Sequence, residues 1–469
     1  MGLVFFNLNL SLIFILAVTL IWFMIAYQLI LTLAGFIHHR RSLRERDRID
    51  AMSLDYPPVS ILIPAHNEEI VIAATLDAML AFDYPEDKIE IIVINDGSTD
   101  STRDIVESYA QRDARIRLFN IPAGEGNKGK SRALNLGLKL TRFEYIAVYD
   151  ADNTPAPDAL RYLVAQLLLN PELGGVIGKF RTVNKNRTLL TRFINIETLS
   201  FQFILQGGRW QLFGIATLPG TNFVIRKKVI DEVGGWDENA MTEDAELSIR
   251  MYIKNWRIKF IPYALTYEQE PERWGIWFRQ RMRWVRGNNY VLKKFIGMRK
   301  EIKSKRLKLE ILYLFAMYYV FFVAIVLSDI LFILGITRLV SIPLPGPYGT
   351  VFVLGILLFI AEILLALAYD KQDSVKTFFY AILMYFTYCQ FWLIIVARAL
   401  YLDLIKKEKH TWVKTARFKL SRSDMITGAP VLTSARSDHQ SGGSVAGGGK
   451  TGFRRVSMAL IAAIFKSRP

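Results

Sequence analysis

The sequence predicts an α/β fold with a mostly parallel sheet, set between apolar helices long enough to cross a membrane and basic helices suited to its surface. Three observations carry that expectation. From Pro57 onward, strand, polar loop and helix alternate repeatedly, the pattern of a parallel sheet with ligands at the carboxyl ends of its strands. Four long apolar runs flank that region, at 10–37, 311–336, 348–369 and 378–402. Finally, 52% of the 469 residues are hydrophobic and the mean hydropathy is +0.22, high for a wholly soluble chain.

Taken in order, the first run lacks a cleavage site and is too long for a signal-peptide core, so residues 1–40 are expected to form a retained transmembrane helix. His38-His39-Arg40-Arg41 and the basic residues up to Arg48 follow it. By the positive-inside rule they place the next part of the chain in the cytoplasm. Strands are expected at 59–64, 89–94, 115–120 and 145–148, the last of them β-branched and bounded by polar residues. Their loops, at 65–69, 95–100, 124–130 and 150–154, would converge on one edge of the sheet.

The last of those loops holds Asp150 and Asp152. Two carboxylates one residue apart suit a hard divalent cation that also carries phosphate oxygens, although such pairs often merely flank turns. Asp96 can accept a hydrogen bond from a base N–H or close an ordinary Asx-turn. Lys130 can reach a phosphate as a point charge or stay solvated. The glycines at 124–129 lack the Walker spacing, which argues against a P-loop.

Strand texture returns at Gly220-Thr221-Asn222 and runs to Arg226. Thr242-Glu243-Asp244 then reads as a helix N-terminus with carboxylates in its first turn; these cap the helix, or one serves as a general base. From 272 to 290 aromatic residues are mixed with arginines at helical spacing, as an interfacial helix requires, and Gln280, Arg283 and Trp284 share one face. A second basic stretch, 293–308, reads as interfacial too.

One span before the domain and three after it would put the basic segment beyond 405 on the outer face, against the charge rule. The sequence therefore predicts that one run does not cross, with 378–402 bending around Thr387-Tyr388-Cys389. Residues 421–452 are Ser-, Gly- and Ala-rich and are expected to be disordered, with a short basic amphipathic segment at 453–466. The net charge of +16 follows the membrane edges rather than a groove, so nucleic acid is not expected as a partner. The single cysteine, Cys389, excludes a disulfide framework and a cysteine metal site.

The ordered set N-D-G-S at 95–98, D-A-D at 150–152, T-E-D at 242–244 and Q-R-M-R-W at 280–284 resembles the processive membrane glycosyltransferases of family 2, which include cellulose, hyaluronan, chitin and poly-N-acetylglucosamine synthases. The resemblance implies a Rossmann-like GT-A catalytic domain at 55–270, interfacial helices at 271–308, a transmembrane region at 309–405 and a gating segment at 406–420. It implies a UDP-sugar donor bound by Asp96, Lys130, Asp150, Asp152 and Glu68, with Mg²⁺ or Mn²⁺ on Asp150 and Asp152. Asp244, beside Glu243, would take the proton of the acceptor hydroxyl. Gln280, Arg283 and Trp284 would hold the diphosphate and stack the acceptor, with Gly220, Thr221 and Asn222 shaping its pocket. Trp412, Thr415 and Arg417 match a gating segment.

The activity implied is an inverting, processive polysaccharide synthase of the cell membrane with a cytoplasmic catalytic domain. Its partners would be the growing polysaccharide, membrane lipid and accessory or export subunits. UDP-glucose is narrowly preferred to UDP-N-acetylglucosamine, and non-processive transfer to a lipid acceptor is the second reading.

Overall fold

The computed structural model describes residues 2–122, 124–337, 339, 347–372, 374–408 and 418. Eight strands form one sheet: β1 (Val59–Ala65), β2 (Ile89–Asn95), β3 (Ile116–Asn120), β4 (Tyr145–Val148), β5 (Thr154–Pro155), β6 (Leu173–Thr182), β7 (Phe223–Arg226) and β8 (Arg257–Glu268). Their spatial order is β3-β2-β1-β4-β7-β6-β8-β5. The strands β1 to β4 run parallel, as do β6 and β8, while β7 is antiparallel to both its neighbours.

Helices cover both faces, which is why β1 and β2 are mostly apolar and buried nearly throughout, with only Ser60 and Glu90 interrupting their hydrophobic runs before the final Asn95. Ile61 and Ile63 face one core layer with the helices Ile72–Leu80 and Ala159–Leu169, while Leu62 faces the other with Lys130–Leu140 and Glu243–Ile253. The carboxyl ends of β1, β2 and β4 lie side by side at the middle of the sheet, and their loops meet there.

The first helix does not stop at the membrane edge. It runs unbroken from Gly2 to Asp50, because its basic half contains neither proline nor a capping glycine. Ile49 enters the core of the α/β domain, and Asp50 accepts hydrogen bonds from Arg161 (3.1 Å) and the Tyr162 hydroxyl (2.9 Å). Lys259 on β8 pairs with Glu45 at 2.9 Å.

Among the described residues, four helical segments are long and apolar enough to cross a membrane: Leu10–Asp50, Lys305–Gly335, Thr350–Tyr369 and Val375–Ile405. The last is broken. It divides into helices Val375–Phe386 and Tyr388–Leu400 at Thr387, whose φ of −125° and ψ of −75° leave the helical region. Just before its start, Asp370 is clamped by Lys179 (2.5 Å) and Arg181 (2.6 Å) of β6. Near its end, Asp403 is held by Arg286 (2.7 Å) and Asn289 (2.8 Å) of the helix Trp274–Gly297. Contacts thus hold the chain near both ends of this segment, and its helix breaks at the place the sequence predicts. The predicted gating residues Trp412, Thr415 and Arg417, and the tail beyond 420, lie outside the described residues.

Candidate active site

A cavity of about 1130 Å³ opens where the loops meet. Of the residues singled out from the sequence, Glu68, Asp96, Lys130, Asp150, Asp152, Gly220, Thr221, Glu243, Asp244, Gln280, Arg283 and Trp284 all border it. Asn222 does not. Its backbone is left-handed (φ 50°), and its buried amide donates to the carbonyls of Ala264 on β8 (3.1 Å) and Lys179 on β6 (3.3 Å), so it ties the start of β7 to those two strands instead of shaping a pocket.

Each loop is fixed by the next. The Asp96 carboxylate accepts the backbone N–H groups of Asn127 (2.8 Å) and Gly129 (3.3 Å), which draws the glycine-rich loop onto the end of β2. Close approach there needs glycine, since a Cβ on Gly126 would lie 2.8 Å from the Cα of Gly97. The Thr221 hydroxyl accepts the Asp150 N–H (3.0 Å) and donates to Asn153 (3.0 Å), pinning both ends of the D-A-D turn. Gly220 contributes its carbonyl, 2.7 Å from the Lys130 ammonium. Thr221 and Gly220 therefore set the donor loops as well as lining the cavity.

Lys130 is the hub of the charges. Its ammonium lies 2.5 Å from Asp150 and 3.5 Å from Glu243. Burial disfavours its charge, but the carboxylates of Asp150, Glu243 and Asp244 outweigh that and hold its pKa above the ordinary lysine value. Asp244, in the first turn of the helix Glu243–Ile253, is displaced the other way. Burial first, then the neighbouring Glu243, raise its pKa to about 7, against the opposing pull of Lys130. A carboxylate poised near neutrality, in a cleft and beside a cation, has the properties of a general base.

A pH dependence follows. A base must be ionised to accept a proton, and a raised pKa means this form is lost as pH falls through about 7, not through the ordinary aspartate range. The kcat/KM of the chain is expected to fall about tenfold per pH unit below that point. In Lys130→Ala, where the opposing cation is gone, the acid limb should move to higher pH. A limb near the ordinary aspartate pKa would assign the base elsewhere.

The helix Trp274–Gly297 crosses the mouth of the cavity. A Cβ on Gly287 would sit 2.6 Å from the Thr242 side chain, so glycine lets this helix lie directly against the T-E-D turn and brings Trp284 over the cavity. Beneath it is a network that the sequence does not reveal. Glu197, on the helix Leu189–Ser200, accepts from Arg281 (2.6 Å), the Tyr388 hydroxyl (2.6 Å) and the Trp392 indole (3.0 Å). Its partners lie 84 to 195 positions away along the chain, so no local pattern marks it.

As for a metal, among the described residues no three His, Cys, Asp or Glu side chains gather as a closed site. The donor set at the D-A-D turn is two carboxylates beside an open cavity. That fits an ion which takes its remaining oxygens from a diphosphate.

Comparison with known proteins agrees with this geometry. Residues 57–287 match the family described as glycosyltransferase like family 2. The chain is 42% identical over 414 residues to the probable glycosyltransferase YdaM of Bacillus subtilis (strain 168), covering 87% of this chain and 99% of that one. It is 34% identical over 254 residues to the poly-beta-1,6-N-acetyl-D-glucosamine synthase of Staphylococcus epidermidis, covering 54% of this chain and 60% of the synthase. In fold it is similar to the mannosyltransferase PcManGT from Pyrobaculum calidifontis, solved with GDP-Man and Mn2+, with a TM-score of 0.52 at 21% identity over 82% of this chain and 99% of that one. The chain belongs to glycosyltransferase family 2, and its α/β domain has the GT-A fold. It is a glycosyltransferase.

Proposed function

We propose that the chain is a processive, inverting membrane β-glycosyltransferase that extends a polysaccharide from a UDP-sugar and passes the product among its own helices. The observation that carries this reading is the continuity of the cavity. The same space that holds Lys130, Asp150 and Asp244 at the sheet edge is also bordered by Phe322, Phe359, Trp392 and Leu393 of the apolar helices. A product made at one end has somewhere to go.

We assign the chemistry from the positions of these residues around the cavity. Asp244 takes the proton of the acceptor hydroxyl, while Glu243 keeps the site acidic around Lys130. On the far side of the anomeric carbon, Lys130 and Arg283 stabilise the charge of the departing diphosphate. Mg²⁺ or Mn²⁺ on Asp150 and Asp152 would add charge neutralisation there. Asp96 and Glu68 border the nucleotide end, where a uracil N–H would join the amides already directed at Asp96. Gln280 orients the diphosphate, and Trp284 offers a flat apolar face to a sugar ring.

The basic half of the first helix supports a cytoplasmic catalytic domain, and the helix break at Thr387 supports a cytoplasmic carboxyl-terminal segment. The preference for UDP-glucose finds no support in the relatives. We take UDP-N-acetylglucosamine as the donor instead, on the likeness to enzymes named as poly-beta-1,6-N-acetyl-D-glucosamine synthases.

The test is UDP release and product size from the purified full chain, supplied with divalent metal and a panel of UDP-sugars. UDP-N-acetylglucosamine is expected to be turned over into long chains. A single sugar on a lipid would establish the non-processive alternative, which the apolar wall of Phe201, Leu205 and Phe322 could also serve. No UDP release from any donor would overturn both.

A further inference from the structure

We propose that Arg281 is the positioning residue of the acceptor platform: its guanidinium sets the orientation of both Trp284 and Gln280 and ties them to the channel wall through Glu197. The inference deepens the function proposed above and rests on Trp284 being the surface on which the acceptor sugar stacks.

The arrangement is specific. Arg281 is only 1% exposed, although it lies in a helix that borders an open cavity. Its guanidinium carbon lies over the Trp284 ring, 3.9 Å from the centroid, close enough for a strong cation–π contact. One terminal nitrogen donates to Gln280 Oε1 at 2.8 Å, and the other to Glu197 Oε2 at 2.6 Å. One planar group thus fixes two of the other three residues that the Q-R-M-R-W segment contributes to the cavity lining.

Trp284 itself is 37% exposed, so solvent offers its ring no restraint from the outer side. What holds it is the cation beneath, and that cation is itself held. Glu197 also accepts from Tyr388 and Trp392, and the Tyr388 hydroxyl in turn accepts from the Trp277 indole at 2.9 Å. The chain of contacts joins three helices: the interfacial helix, the Glu197 helix and the second half of the broken segment. An acceptor sugar must present its hydroxyl to Asp244 within a narrow range of positions, and a misplacement of about 1 Å can cost on the order of a hundredfold in rate. A platform free to rotate would lose that alignment.

Lysine separates this role from a purely structural ion pair. It keeps the charge beside Glu197, but it lacks the flat fork that lies on the indole and reaches Gln280 at the same time. The experiment uses the full chain in lipid nanodiscs, as Arg281→Lys, Trp284→Ala and the double variant. The measurements are thermal unfolding, UDP binding by calorimetry, product length, and rate against the concentration of a short oligosaccharide of the product's own linkage.

For Arg281→Lys the fold and UDP affinity should be kept within about twofold. The rate at limiting oligosaccharide should drop about tenfold, with shorter products, and the rate at saturating oligosaccharide should change less. In the Trp284→Ala background, Arg281→Lys should cost markedly less than in the parent, leaving only the part that passes through Gln280. Glu197→Gln, which keeps one acceptor oxygen but removes the charge facing Arg281, should reproduce the Arg281→Lys pattern.

Losses that simply add, or an Arg281→Lys enzyme indistinguishable from the parent while Trp284→Ala is impaired, would overturn the positioning role alone. Unchanged products from Trp284→Ala would remove the platform reading, and this inference with it.

Discussion

Asp244→Asn is expected to abolish nearly all sugar transfer, a loss of about 10²–10⁴-fold in kcat, while leaving UDP binding largely intact. The substitution is close to isosteric. An asparagine oxygen can still accept the Ala245 N–H, which the aspartate Oδ1 takes at 2.8 Å, so the first helical turn keeps its shape. What disappears is the group that receives the acceptor proton. Removing one negative charge also leaves Lys130 with Asp150 and Glu243 as its remaining carboxylate neighbours, so the diphosphate site changes little. UDP release under single-turnover conditions measures the first part, and calorimetry with UDP the second. Polymer output that survives Asp244→Asn would mean that the base is another residue, or that this chain serves as a scaffold for a separate enzyme.

Asp152→Asn is the second large effect. The D-A-D turn presents two carboxylates to the cavity, and one of them, Asp150, already faces Lys130 at 2.5 Å. A divalent ion shared with a diphosphate needs the second for its charge as well as its geometry. Turnover is expected to fall at least about a hundredfold, since a bound metal contributes several kcal/mol of charge stabilisation to a leaving diphosphate. A binding measurement tests the cause without relying on activity. Added Mn²⁺ should tighten UDP binding to the parent chain and leave the affinity of Asp152→Asn nearly unchanged. An equal response in both would remove Asp152 from the metal site.

Much of the sheet edge was legible because its chemistry is local. A β-branched run followed by Asp, Asn or Gly marks a strand end wherever it occurs, and β1, β2 and β4 with their loops stand where that pattern placed them. The strands β6 and β8 escaped the same rules. Gly174, Gly175 and Gly178 interrupt the first, and Pro262 interrupts the second. The reason emerges only in three dimensions: a Cβ on Gly178 would lie 2.3 Å from the Ala264 carbonyl oxygen.

The site residues divide in the same way. Asp96, Asp150 and Asp244 belong to short motifs tied to strand or helix ends. Asn222 sits beside such a motif, but its left-handed backbone turns it away, and nothing in its neighbours announces that. Arg281 looked like one more arginine in a basic stretch. Its place is set by Glu197, far off in the chain.

The unbroken first helix has a mechanical meaning. Its 49 residues make a rod roughly 70 Å long, with one end bolted to the sheet through Glu45, Ile49 and Asp50. Such a mast gives the catalytic body no joint at the bilayer about which to swivel. On the function proposed above, the height at which each sugar is added would stay constant from one cycle to the next, and the product would advance by sliding of the sugar chain and not by a stroke of the enzyme.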